Sequence, residues 1–348
     1  MTTIGTASDA GPQSELPTEA LASSEARQIE GRSPGQIAWS RIKQDRVALV
    51  CAVTIVLIVL VAIFAPLIVK ISGYPPDQPN FTGPNGEALL DQQLGGIPSG
   101  GILNSGISSE HWLGIEPQDG RDIFARLVYG ARPSLLVALG GTILAVLLGT
   151  VVGMTAGYFR GWVDAVLGRL MDIMLSFPVL LFIMALTPVI ADRAEALLGI
   201  PDDNTLRMGV LIFVLGFFGW AYLARIVRGQ TMALREREFI EAARAQGATS
   251  PFVIFRQILP NLVPTLLVYA TLMLPANITA EAALSFLGVG VKEPTASWGR
   301  MISDASAWYE VDPLFLFFPG AALFITVLAF NLLGDSVRDA LDPRAGRG

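Results

Sequence analysis

Histidine, cysteine and lysine are almost missing from this chain of 348 residues. It has one His (His111), one Cys (Cys51) and three Lys (Lys43, Lys70 and Lys292). One His and one Cys far apart supply neither a zinc ligand set nor an H-E-x-x-H pair. A single Cys makes no intrachain disulfide and reads as a small core residue in an apolar run. None of the lysines completes a G-x-x-x-x-G-K-[ST] phosphate loop. No metal or cofactor is therefore expected on this chain, and any ATP would be hydrolysed by a partner. Charge is scarce too, at 16% of residues, where a soluble domain carries about a quarter.

Apolar residues fill the gap. They make up 52% of the chain, with a mean hydropathy of +0.53. Long apolar runs in such a background predict an all-α polytopic membrane protein seated in a lipid bilayer. The net charge of −6 and the low charge density suggest no nucleic-acid partner.

Residues 1–40 are Ser, Thr, Ala, Glu, Pro and Gly with few large apolar side chains, and they read as a disordered tail. No short apolar core with a small-residue cleavage site marks a signal peptide there. Residues 41–69 form a first span, its basic start at Arg41, Lys43 and Arg46 followed by an apolar run from Val47 to Val69. At ~1.5 Å per residue that run crosses a hydrocarbon core of ~30 Å. Residues 70–132 are a long turn-rich loop, punctuated by Pro75-Pro76, Gly83-Pro84, Gly95-Gly96 and Gly100-Gly101. The loop ends in an amphipathic helix over Arg121–Arg132.

Residues 133–343 hold five more spans, starting near Ser134, Val163, Met208, Leu262 and Leu314. In the second span Gly141, Ala145, Gly149, Gly153 and Gly157 recur every four residues. Small residues at that spacing line one helix face and admit a neighbouring backbone, so they read as a packing seam. The third span carries Asp164, Arg169 and Asp172 in its first half. Ionisable groups there pair or face a cavity. Arg169 and Asp172 stand at i, i+3 and are expected to pair within the helix, as a structural ion pair or gate. Pro178 is expected to kink the span. Phe217, Phe218, Trp220 and Tyr222 in the fourth span read as packing and interface anchors, with lining of a translocation path as the alternative. A loop over residues 284–312 is expected to re-enter the bundle in part.

Between the fourth and fifth spans lies a charged segment, Arg235–Asn261, within a loop of about residues 228–261. Ala, Glu and Arg favour helix over Arg235–Gln246. Phe239, Ile240 and Ala243 make one small apolar face. Gly247 is placed as a left-handed C′ glycine. Ser250-Pro251 reads as N-cap and N1 of a second short helix that ends near Pro260.

Glu241-Ala242-Ala243, Gly247 four residues on and then Ile258-Leu259-Pro260 together resemble the EAA signature of ATP-binding-cassette (ABC) importer permeases. Gln257 stands where the general pattern would have an apolar residue. His111–Leu135 is similar to the entry segment of the dipeptide/oligopeptide subfamily, with Ile115-Glu116 in place of a Thr-Asp-like pair. The resemblance covers about residues 40–343. It implies the six-span, MetI-like permease fold and a role in moving peptides, nickel chelates or other solutes. It also implies a second homologous permease subunit, two cytoplasmic ATPase domains carrying ATP and Mg, and an extracytoplasmic solute-binding protein. The coupling helix would seat on the ATPase through Phe239, Ile240, Glu241, Ala242, Ala243, Gly247, Leu259 and Pro260. A second Glu-Ala-Ala at Glu281 lacks the downstream glycine and carries no such implication.

Topology is tested by charge. Six spans with both ends inside place 15 Lys and Arg in inner segments and 8 in outer ones, Arg169 excluded. That asymmetry fits a cell-membrane protein with both termini cytoplasmic. A stand-alone secondary transporter or channel, using Asp164, Arg169 and Asp172 as ion-coupling groups, is the alternative.

Overall fold

The computed structural model describes residues 34–99, 105–199, 201 and 203–341. Most of the expected disordered tail lies outside them. Its last part does not fit that expectation, because Pro34–Gln44 is a helix, α1. Arg41 Nη1 donates to the Ala340 carbonyl at 3.4 Å, and Ser336 Oγ donates to Asp45 Oδ2 at 2.7 Å. These bonds hold α1 against the far end of the chain.

Asp45 also caps α2, Arg46–Ser72, by accepting from the Val47 amide at 2.9 Å. α2 is apolar all round, and its exposed residues include Val53, Val56, Leu57, Leu60, Ile63 and Phe64. Such a helix is at home in hydrocarbon. The following loop contains a two-stranded antiparallel hairpin, β1 (Leu90–Asp91) and β2 (Ile97–Pro98), with Leu90 opposite Pro98.

The amphipathic segment and the second span are one helix, α3, Ile123–Phe159. Asp122 caps it, accepting from the Ala125 amide at 2.6 Å. The third span is not a kinked helix but two helices, α4 (Gly161–Ser176) and α5 (Val179–Leu198), meeting at 91°. The break falls at Pro178. The residue before a proline is pushed out of the helical region, and Phe177 sits at φ −81°, ψ 141°.

α6 spans Asn204–Arg235 and packs along α3. The glycine face of α3 is the contact. A Cβ on Gly149 would stand 2.9 Å from the Trp220 carbonyl oxygen, one on Gly153 2.6 Å from that of Ala224, and one on Gly157 2.7 Å from that of Arg228. Ala145 is fully buried in the same row.

α7 is Glu238–Ala245. α8 then runs from Ser250 to Phe286 without a break, through a π turn at Val253–Ile258. The expected short helix ending near Pro260 is therefore the first part of the fifth span, and its N-cap is Thr249 rather than Ser250. Proline lacks an N–H, and Pro260 lies two residues past the end of the π turn, where the α ladder is already rearranged. α9 (Trp298–Ala305) and α10 (Pro313–Leu341) complete the chain. Among the described residues five helices (α2, α3, α6, α8 and α10) are long and apolar enough to cross a membrane, and the bent α4–α5 pair, counted as one span, brings the number to six.

Candidate coupling surface and charged cavity

α1, α7, the start of α8 and the end of α10 gather at one end of the bundle, together with the α3–α4 turn. Ile240 is completely buried there with Met154, Tyr158, Leu223, Val227, Val253, Ile258 and Leu262. It fastens α7 to the bundle, so its side chain is an anchor and is absent from the exposed face. Leu259 packs on the same cluster. The guanidinium groups of Arg235 and Arg244 lie over the Tyr158 ring at 5.6 and 5.0 Å, a cation–π arrangement.

The other face of α7 is open. Phe239, Glu241 and Ala242 are exposed, as are Phe252, Phe255 and Pro260 on α8. Three exposed phenylalanines at one end of the bundle form an apolar patch of the kind that covers a partner groove. Gly247 turns the chain between the two helices at φ +85°. The Ala248 amide donates to the Ala243 carbonyl at 3.0 Å and the Gly247 amide to that of Arg244 at 2.9 Å. That bond pair is a Schellman motif, which needs a left-handed residue at Gly247.

Beside this surface is a cavity of about 440 Å³ lined by Asp164, Gly168, Arg169, Asp172, Arg225 and Arg228. Its ion pairs are not within α4. Arg228 forms a fork on Asp164, with Nη2–Oδ2 at 2.8 Å, and Arg225 Nη2 donates to Asp172 at 2.7 Å. The expected Arg169–Asp172 pair is replaced because α4 and α6 run antiparallel here. The two acids stand about 12 Å apart along α4, and the long arginine arms converge on them from α6. In the sequence Arg225 and Arg228 are two of the basic residues near the inner end of the fourth span. Their place opposite two acids depends on the neighbouring helix.

The opposite end is closed by a second ionic group. Arg126 is fully buried, with its Nε 2.6 Å from Glu116 and its Nη1 donating to the Pro294 carbonyl at 3.1 Å. Burial pushes Glu116 up to about 7, against the pull of Arg126 and Arg121. Burial likewise raises Asp304, 3.9 Å from Arg126. His111 Nδ1 lies 2.8 Å from Asp122, and both residues are buried. Trp298 Nε1 donates to the Leu127 carbonyl at 3.0 Å, tying α9 to α3. Nothing in the spacing of these residues signals that they meet.

A multi-span bundle with a broken third span and an open amphipathic helix between two spans has the architecture of a transport permease. Residues 149–347 match the model of binding-protein-dependent transport system inner membrane components. Residues 33–88 match the N-terminal transmembrane domain of oligopeptide transport permease C. A dipeptide transport system permease protein of Alkalihalophilus pseudofirmus is 38% identical over 90% of both chains. A glutathione transport system permease protein of Pectobacterium atrosepticum is 33% identical over 90% of this chain and 92% of its own. A chain of the inward-facing MetNI methionine ABC transporter aligns with a TM-score of 0.49 at 20% identity, over 62% of this chain and 96% of that one. The chain belongs to the family of binding-protein-dependent transport system inner membrane components, the membrane permeases of ABC importers.

Proposed function

We propose that this chain is one of two permease subunits of an ATP-driven importer for dipeptides, oligopeptides or a peptide such as glutathione. Both termini and α7 lie on the cytoplasmic side, where the basic excess of the sequence falls. Two ATPase domains carrying ATP and Mg dock beneath α7 and the start of α8, and an extracytoplasmic binding protein delivers the solute.

The observation that carries this reading is the two-sided build of α7. Ile240 clamps one face to α6 and α8. The other face presents Phe239, Glu241 and Ala242 beside Phe252 and Phe255. A helix held this way moves as one body with the spans. Closure of the ATPases is thereby passed to α6 and α8, and the bundle shifts between inward-open and outward-open arrangements. Nucleotide biases that balance only through its differential affinity for the two states. Glu241 pairs at the ATPase cleft, Ala242 permits close approach, and Gly247 sets the turn into α8. The secondary-carrier alternative has less support, since Asp164 and Asp172 are already neutralised by Arg228 and Arg225.

The test is Glu241→Arg in the complex co-expressed with its partner subunits. The variant should stay monodisperse in detergent, lose the ATPases on purification and lose ATP-driven uptake. Full ATPase retention with normal uptake would sink the assignment of the docking face.

A further inference from the structure

The lateral surface of the bundle is apolar along α2 and α3, where Leu136, Leu139, Ile143, Leu147 and Val151 are exposed on α3. One wall differs. Near the middle of α6 and α8, Tyr222 and Tyr269 stand with ring centroids 6.2 Å apart at 67°. Tyr222 is exposed, and neither hydroxyl has a hydrogen-bond partner among the described residues. Thr265 lies about one turn before Tyr269, and Gln230 and Arg338 lie toward the α7 end. Together they line a cavity of about 460 Å³ with Val268 and Leu272.

Two physical arguments bear on this wall. Polar groups at mid-span depth are costly against lipid tails, because nothing there bonds them. They are tolerated where the helix faces water or another protein. The cavity also has the size of small-ligand pockets, about 300–1,000 Å³, and its chemistry is of one kind. It offers two tyrosine rings with their hydroxyls, a further hydroxyl at Thr265, an amide and one guanidinium, with no carboxylate among the described lining residues. Asp335 and Asp339 flank Arg338 in sequence but lie outside the lining. Aromatic faces receive apolar side chains, amide and hydroxyl groups bond peptide links, and a guanidinium forks onto a carboxylate.

We propose that Tyr222, Tyr269, Thr265, Gln230 and Arg338 form the substrate-contacting wall of the translocation path, with Arg338 receiving the carboxylate of a short peptide. The inference rests on the importer reading above and adds the side chains and the orientation of the cargo. Arg338 lies at the mouth nearest α7, so the peptide leaves carboxylate first.

Two measurements on the assembled transporter test it. The lone cysteine makes the first direct. In a Cys51→Ala background, Tyr269→Cys and Thr265→Cys should react with a charged methanethiosulfonate about tenfold faster than Val56→Cys on α2, because only a hydrated thiol ionises. Rates equal to that of Val56→Cys would show a lipid-facing wall and overturn the proposal. The second is ATP-driven uptake of Ala-Phe and of its C-terminal amide. Arg338→Gln should raise KM for the free acid about tenfold and leave the amide within about twofold, with Arg338→Lys in between. An equal effect on both, or none, removes Arg338 from substrate binding. If the unaltered complex takes up neither compound, the peptide reading falls with Arg338's ligand, and the labelling result alone judges the wall.

Discussion

Adding one methyl group at each seam glycine of α3 should destabilise the bundle in an order that the structure already specifies. A Cβ at Gly153 meets the Ala224 oxygen at 2.6 Å and Val227 Cβ at 2.7 Å. At Gly157 the nearest contact is 2.7 Å, at Gly149 2.9 Å and at Gly141 3.1 Å, whereas at Gly209 and Gly229 nothing lies within 4 Å. The nearest contacts at Gly153, Gly157 and Gly149 are with backbone oxygens, which move only if the helix moves. An ordinary carbon contact is about 3.5–4.0 Å, so α3 and α6 must part by up to about 1 Å. Overpacking of this kind costs about 1–3 kcal/mol. Exchanging Gly for Ala inside a helix returns roughly 0.5–1 kcal/mol. Gly153→Ala and Gly157→Ala should therefore lose about 1–2 kcal/mol net, Gly149→Ala somewhat less and Gly141→Ala little. Gly209→Ala and Gly229→Ala should gain slightly. The assay is thermal stability of the detergent-extracted protein, followed by size-exclusion fluorescence after heating. If Gly153→Ala were as stable as Gly229→Ala, the close approach of α3 and α6 would be wrong and the reasoning with it.

Ile240→Ala should cost about 2–4 kcal/mol and loosen α7, seen as faster hydrogen exchange over residues 238–247. Phe239→Ala should leave exchange unchanged yet weaken ATPase retention; equal exchange in the two variants would contradict the two-sided reading of α7. The closed end opposite α7 should respond to pH. Glu116 is raised from 4.5 to about 7 in the folded protein, so the fold holds more protons than the unfolded chain between those values. Its contribution is present below about pH 4.5 and is lost as pH rises to about 7, roughly 3 kcal/mol in all. Protection factors of the amides around residues 111–126, taken relative to the base-catalysed intrinsic rate, should fall over that range, and Glu116→Gln should flatten that dependence. A profile that Glu116→Gln leaves intact would point to another group.

Composition and periodicity carry the broad class. A helix in lipid must satisfy its own backbone, so each apolar run of sufficient length declares a span, and α2, α3, α6, α8 and α10 follow from such runs. The four-residue spacing of Gly141, Ala145, Gly149, Gly153 and Gly157 marks one face of a helix from sequence, because helix geometry is local. Glu241-Ala242-Ala243 and Gly247, with Leu259-Pro260, point to the permease family by the same kind of short-range pattern. Local rules reach less far where two influences compete. Pro178 was legible as a disruption, but whether the chain kinks or turns through 91° depends on what α5 packs against. Pro260 read as a stop, and the π turn before it lets the helix continue.

What sequence alone determined here is whatever depends on neighbours within a few residues: the spans, the glycine face, the left-handed turn and the family signature. What only the tertiary structure decided is which side chains meet across helices. Asp172 goes to Arg225 rather than to Arg169 three residues away. Ile240 faces inward while Phe239 faces out. Arg126 and Glu116 share a buried pair, and Tyr222 and Tyr269 share a cavity. The reason is physical. Hydropathy sets how deep a residue may lie, but the rotation of each helix about its axis is set by packing against its neighbours. That rotation selects every long-range contact.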